Sequence, residues 1–567
     1  MSRAVSPAVS SARARLTLAS IAVAFAAADT YVVVLALPDM MAGVGLSVDQ
    51  LQRAAPIISG FLLGYIAVLP LIGRIADVVG RTPVLVGALL LFAVGSLITA
   101  SAYDLSLIVT GRFLQGVGGG GLVPATLALV ADLWPPEKRG LPLGIVGAVQ
   151  ELGSVVGPLL GAVVLAIADW RYIFWLNLTV AVVLALLLRG RQRPPLSAAV
   201  GLLACIALAL TLTAPERLTS GVTLGLPFVP FTGESRLLTP IGVVTLVLAL
   251  LWLTLVLLKN RARLSDVVRR VDAVGALLLA LALAGVVLAF ATADPEREVM
   301  APAGPWLLAA AAVFAIAFAL WQRRTAQAIV PPGLLAARPA WSSLLISFLV
   351  GAALIAALVD VPVFARTTQG GGQLAAALVL LRFLIALPVG AVVGGWLTRR
   401  YGLGLITGAG LGLAGAMFVL MAFWDRGALK HAPATIILLA CGFGFGLALS
   451  PVNTAMLAAT REDSHGLVSA LVVVARMIGM LVGVSALTAI GLRRYYTLVQ
   501  NVPSPNQLCP TTPGSCRPFV DALREAAISQ VHAIFAGAAV CALAAAVLAV
   551  LLLGRQPVGT GIQAVHR

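Results

Sequence analysis

Apolar residues run through this chain in blocks of roughly 18 to 25 positions separated by short polar breaks, the length a helix needs to cross ~30 Å of hydrocarbon at ~1.5 Å per residue. About sixteen blocks can be drawn, at approximately 16–38, 55–73, 83–102, 106–131, 141–166, 171–188, 197–214, 238–258, 272–292, 305–322, 341–364, 374–397, 402–424, 433–458, 466–492 and 529–553. The pattern predicts an all-α integral membrane protein. Two stretches outrun the bilayer. From Gly466 to Gln500 the helical pattern meets no proline until Pro503, and Pro518 to Leu553 is uninterrupted in turn. At about 35 residues each, or ~52 Å, two such helices project ~15–20 Å past the outer surface, giving an extended outer segment over 493–528. The alternative is a pair of long extracellular loops. The outer loop from Gly221 to Arg236 is rich in Gly, Pro and Thr and fits a short β-hairpin.

Charges inside the blocks are the candidate chemistry, because a charged side chain at mid-bilayer costs ~2.5–3.5 kcal/mol unless neutralised or wet. Asp29 lies near the middle of the first block, where protonation is its cheapest escape and a packed, satisfied polar residue is the plainer reading. Arg112 sits near the outer end of the fourth block, placed to snorkel to the surface or to bond neighbouring helices. Glu151 precedes a Gly153/Gly157 face with Pro158 and Gly161, and Arg476 precedes a matching Gly479/Gly483 face. The repetition pairs Glu151 with Arg476, directly or through Asp29, as a gate that closes in one state and opens in another. Asp360 falls toward the outer mouth and Arg382 lies in the block that follows.

With 567 residues, 60% hydrophobic and 11% charged, the chain is too apolar for a soluble or disordered protein. A net charge of +16 points to nucleic acid only in a soluble chain. Here, with the N-terminus inside, inner loops and tails carry roughly 23 of the 38 Lys and Arg and outer loops roughly 12, which places both termini in the cytoplasm and needs no nucleic acid. Nothing at the N-terminus reads as a cleaved signal, so the first block is expected to stay. Cys205, Cys441 and Cys541 lie in apolar blocks, whereas Cys509 and Cys516 bracket a Pro-Thr-Thr-Pro-Gly-Ser loop outside, where a disulfide is permitted. The four histidines are scattered and no metal-ligand spacing or nucleophile/base pair occurs, so neither a metal cofactor nor an enzyme is expected.

The polar breaks carry motifs. Gly73-Arg-Ile-Ala-Asp77-Val-Val-Gly80-Arg81, between the second and third blocks, reads as a short cytoplasmic loop with two glycines for the reversal. It resembles the G-x-x-x-D-x-x-G-R signature of the major facilitator superfamily. Arg112-Phe-Leu-Gln115-Gly116 is similar to that superfamily's R-x-x-Q-G pattern, and Gly153 to Gly161 resembles its antiporter motif, G-x-x-x-G-P-x-x-G. Asp169-Trp-Arg-Tyr-Ile-Phe-Trp-Leu-Asn177 resembles the start of helix six in the fourteen-helix drug/proton antiporter branch, and Gly395 to Gly402 is a worn copy of the hinge with Arg399 in place of Asp77. The resemblance implies a major facilitator fold. Its parts are a six-helix half over 1–190, an extra transmembrane pair over 191–265, a second inserted pair over 266–338, and a six-helix half over 339–567.

Asp29-Thr-Tyr-Val-Val-Val, Gln150-Glu-Leu-Gly-Ser-Val, Leu358-Val-Asp-Val and Val472 to Leu487 are similar to the mycobacterial lipid-exporting permeases encoded beside a lipid-carrying lipoprotein. That resemblance implies a monomer in the bacterial cytoplasmic membrane, exporting triacylglycerol-type lipid on the proton gradient alone, without a bound cofactor. Handover to a periplasmic lipoprotein would occur near the outer projection. It implies functional roles for Asp29, Asp77, Glu151 and Arg476. Arg382 departs from it, because an apolar aromatic is expected there, and 191–265 has no counterpart. The competing reading is a multidrug/proton antiporter built from the same motifs. A large apolar cavity with lateral openings favours lipid, and a closed aromatic pocket with a carboxylate favours cationic drugs.

Overall fold

A computed structural model of the chain describes residues 7–46, 51–134, 140–190, 196–219, 225–231, 235–261, 272–291, 300–325, 328, 330, 333–334, 336–369, 373–398, 400–460, 465–509 and 516–554. The apolar blocks fold as helices. In the first half these are α1 (Pro7–Ala42), α2 (Leu51–Val79), α3 (Arg81–Ala100), α4 (Leu105–Leu133), α5 (Gly140–Ile167) and α6 (Arg171–Arg189). Two pairs follow, α7 (Leu196–Thr213) with α8 (Pro240–Lys259), and α9 (Ala273–Ala291) with α10 (Gly304–Arg324). The second half holds α11 (Arg338–Gln369), α12 (Gln373–Leu397), α13 (Leu403–Met421), α14 (Ala432–Ala458), α15 (His465–Val499) and α16 (Arg517–Leu552). Among the described residues, fourteen helices are long and apolar enough to cross a membrane, and the shorter apolar runs Pro56–Leu69 and Val156–Ile167 lie in α2 and α5.

The two halves repeat one packing scheme. In the first, α1 packs on α5, α2 and α3 on α4, and α3 on α6; in the second, α11 packs on α15, α12 and α13 on α14, and α13 on α16. Small residues set the close approaches. A Cβ on Gly153 or Gly157 would run into the Ala24 or Ala28 carbonyl, as one on Gly479 or Gly483 would run into the backbone of Phe348 or Ala352. Likewise Gly116 and Gly120 lie over Phe61 and Tyr65 as Gly442 and Gly446 lie over Phe383 and Leu387. The antiporter motif thus seats α5 on α1 within one half, with Gly161 against Val32 and Pro158 inside the continuous helix. The halves meet where α5 touches α12 and where α2 touches α15. On the latter side α9 wedges against both, and Ser485 Oγ donates to the Phe290 carbonyl at 2.9 Å. The pair α7/α8 packs mainly on itself and touches α3, with Arg236 stacked over Tyr103 and bonded to the Leu212 carbonyl.

Three expectations change. The stretch Gly73 to Val79 is helix rather than loop; nothing in it breaks a helix strongly enough, and the turn is confined to Gly80, whose φ of 99° suits glycine. The side chains of Gly73 and Asp77 lie outside the described residues. The 221–236 stretch gives no strand among the described residues. Short helical turns at Leu226–Phe228 and Arg236–Leu238 take its place, because Phe231 N–H reaches the Leu238 carbonyl in a single bond that no ladder extends. The long-loop alternative for 493–528 is also excluded over the described part, since α15 and α16 run unbroken for 35 and 36 residues. Cys509 and Cys516 are joined, with Cα atoms 5.6 Å apart. Arg426, in the turn between α13 and α14, grips the base of this projection through the Asp521 carbonyl and the Glu525 carboxylate.

Candidate functional site

A polar cluster sits in the core of the first half. Arg112 is 1% exposed and Asp29 is 1% exposed, their side chains joined through Arg112 Nη1 and Asp29 Oδ2 at 2.5 Å. Arg112 Nη1 also donates to Gln115 Oε1 (3.0 Å), and its guanidinium lies 4.4 Å from the Phe61 ring and 5.8 Å from that of Phe174. Asn177 Nδ2 donates to the other Asp29 oxygen, and Gln115 Nε2 donates to Ser96 Oγ. Five helices contribute, α1 through Asp29, α2 through Phe61, α3 through Ser96, α4 through Arg112 and Gln115, and α6 through Asn177 and Phe174. The start of α6 is fixed by Arg171, which bonds the Ala102 carbonyl and stacks on Trp170.

Of the two courses open to it, Arg112 takes the bond to neighbouring helices: it turns inward, where about ten ångströms along α4 from its first residue a buried carboxylate and two aromatic faces receive it. Asp29 pairs with this permanent cation. Gln115, Asn177, Ser96 and Phe61 complete the site. Of these Gln115 and Asn177 stood in recognisable motifs, but nothing in the sequence aimed them at Asp29.

The duplicated packing provides an internal control. Through the matched glycine contacts, Asp29 corresponds to Ala353, Arg112 to Leu438 and Gln115 to Cys441, all three of which are fully buried. The same architecture therefore closes over apolar residues at these positions, so the helix packing by itself does not call for the charged cluster.

Thr30, next to Asp29, opens onto a cavity of about 20 Å3 between the halves, walled also by Tyr31, Tyr65, Gln150, Met477 and Arg476. It has room for about one water molecule. That is far too small for a lipid, and among the described residues its walls carry no carboxylate. Arg476 is 8% exposed and reaches this wall from α15. The side chain of Glu151 lies outside the described residues, so the Glu151–Arg476 pairing does too; its neighbour Gln150 faces the same cavity. Asp360 is buried in the second half at 8% exposure, and Phe364, one turn on, packs its ring against Trp424. Arg382 donates to Thr435 Oγ1 at 2.8 Å. Among the described residues no group of three or more His, Cys, Asp or Glu is placed to hold a metal.

Comparison with known proteins agrees with this architecture. The family model described as Major Facilitator Superfamily matches residues 19–484. A triacylglyceride transporter of Mycolicibacterium hassiacum is 37% identical over 504 residues, covering 87% of this chain and 82% of the relative. One of Mycolicibacterium smegmatis is 35% identical over 558 residues, covering 95% and 87%. One of Mycobacterium tuberculosis is 37% identical over 498 residues, covering 85% and 83%. Among solved structures, a bacterial homolog of the human lysosomal transporter Spinster aligns over 97% of this chain and 98% of its own with a TM-score of 0.53 at 15% identity, a likeness of fold. With its duplicated six-helix halves and a family match over most of its length, the chain belongs to the major facilitator superfamily and is a multi-span membrane transporter, not an enzyme.

Proposed function

We propose that the chain is a proton-coupled exporter of neutral, triacylglycerol-like lipid, working by alternating access from the cytoplasmic membrane toward the periplasmic side. The buried Asp29–Arg112 pair carries the coupling. A carboxylate held by a guanidinium is stable in low dielectric, and when α1 and α4 shift it can leave the cation only by taking a proton in exchange. Thr30 supplies the contact between this exchange and the cavity, where a Glu151–Arg476 pair would open and close the path between the halves. Gly73, Asp77, Gly80 and Arg81 form the cytoplasmic hinge in this scheme. Lipid as cargo is supported by the printed names of the relatives. The projecting α15/α16 tip is the place where a periplasmic lipid-carrying lipoprotein would receive it from a monomeric transporter with both termini inside. The drug/proton antiporter alternative, built from the same motifs, is less favoured because the printed names of the relatives give triacylglyceride.

Reconstitution into liposomes tests both parts. An imposed pH difference should drive triacylglycerol across and leave a cationic dye behind, and Asp29→Asn should insert and fold yet no longer respond to the gradient. Dye transport without lipid transport would overturn the cargo, and lipid transport indifferent to pH would overturn the coupling.

A further inference from the structure

The second half carries two charges that its duplicate lacks. By the matched packing, Asp360 occupies the place of Ala36 and Arg382 the place of Gly60, so neither is required by the architecture. Both lie at one depth: α11 and α12 pack together as neighbours in sequence, Asp360 stands nine residues before Gln369 and Arg382 nine residues after Gln373. At ~1.5 Å per residue each is ~14 Å below the connection.

The two are not paired here. Arg382 is held by Thr435 of α14, and among the described residues no donor or cation comes within bonding reach of the Asp360 carboxylate. On the elements packed against α11, the remaining charged or titratable groups are His465, Arg476, Arg493 and Arg494 with Tyr495 and Tyr496 on α15, and Arg517, Asp521, Arg524, Glu525, His532 and Cys541 on α16. Described α14 has none but Cys441. His532 turns its Nε2 to the Trp424 carbonyl at 2.7 Å, behind Phe364, and Asp521 and Glu525 are taken by Arg426. An ionised carboxylate left in such surroundings is largely cut off from solvent and has no counter-charge beside it among the described residues.

We propose that Asp360 is a second proton-carrying site of the transport cycle, protonated in this conformation, and that Arg382 displaces its proton when movement of α12 against α14 releases the guanidinium from Thr435. The proton goes to water at the outer side, and Asp360 and Arg382 remain as an ion pair until the helices return. The proposal rests on the proton-coupled reading above, with Asp29 as the first site.

Infrared difference spectroscopy of the purified full chain at neutral pH tests it without a transport measurement. The band of a protonated carboxylic acid should be present in wild type, lost in Asp360→Asn and retained in Asp29→Asn. In liposomes, Asp360→Asn and Arg382→Met should each lower the number of protons moved per lipid, and the double variant should be no worse than either alone. If the Asn variant misfolds, Arg382→Met still reports, because removing the displacing cation should leave the acid band in place across conformations. A band unchanged by Asp360→Asn, or an unchanged proton ratio in both variants, would overturn the second site and leave the Asp29 reading standing. Wild-type lipid transport indifferent to an imposed pH difference would overturn both the coupling and this extension of it.

Discussion

Arg112 and Asp29 illustrate how much a buried pair depends on both members. The guanidinium is sandwiched near Phe61 and Phe174, and its hydrogen bonds run to Asp29 and Gln115. Arg112→Leu leaves the Asp29 charge stranded in the core and should cost about 3–5 kcal/mol of stability. The double variant Asp29→Asn/Arg112→Leu, with neither charge, should recover most of that loss while remaining uncoupled. Thermal unfolding of the four proteins in one detergent checks the ledger; additive losses would mean that the two side chains do not act as a pair. The sequence showed that each charge stood in oil, because twenty apolar neighbours are visible in a string. It did not show that they met, since a separation of 83 positions carries no direction. The partner amides of Gln115 and Asn177 were still less visible, as buried amides cost little enough to occur anywhere in a bundle.

Among the elements, the paired α15/α16 extension differs most from an ordinary membrane helix. Length alone announced it: no proline or glycine pair interrupts either stretch, and a helix that outruns ~30 Å of hydrocarbon must emerge somewhere. Its attachment was not legible. Arg426 from another loop ties its base to the second half through Asp521 and Glu525, and His532 bonds the Trp424 carbonyl below. The extension is thereby built to move with one half only. Replacing 497–525 by a short Gly linker should leave insertion and any dye efflux near normal and reduce lipid delivery to an acceptor. Equal loss of both activities would assign the extension a structural role alone. The hinge taught the converse lesson. Its residues announced a turn, yet helix persisted to Val79, because cooperative hydrogen bonding carries α2 through every residue short of a glycine with positive φ.

At the scale of the whole molecule, the additions between the halves have unequal claims on the bundle. In the α9/α10 pair α9 lies against α2 and α15 while α10 packs on α9 and is otherwise largely exposed, and Asp272 clasps the two by accepting from Trp321 Nε1 and Gln322 Nε2. The α7/α8 pair presents most of its surface outward, with only 17% and 11% of the two spans buried. Excising 191–265 keeps the number of crossings even, so the second half retains its orientation. Lipid transport in liposomes should stay within about twofold of wild type, the scale of a change that disturbs no packed core. A larger loss would show that the pair contributes to transport. The sequence by itself determined the apolar helices, the twofold repetition and the presence of charge within them, because each of these follows from local composition and its period along the chain. The tertiary structure decided which charges neutralise one another, which remain alone, and how small the space between the halves is in this conformation. Those depend on the angle at which helices cross and on contacts between side chains hundreds of residues apart. A string of apolar blocks is compatible with many such arrangements, and close glycine-to-backbone packing selects one.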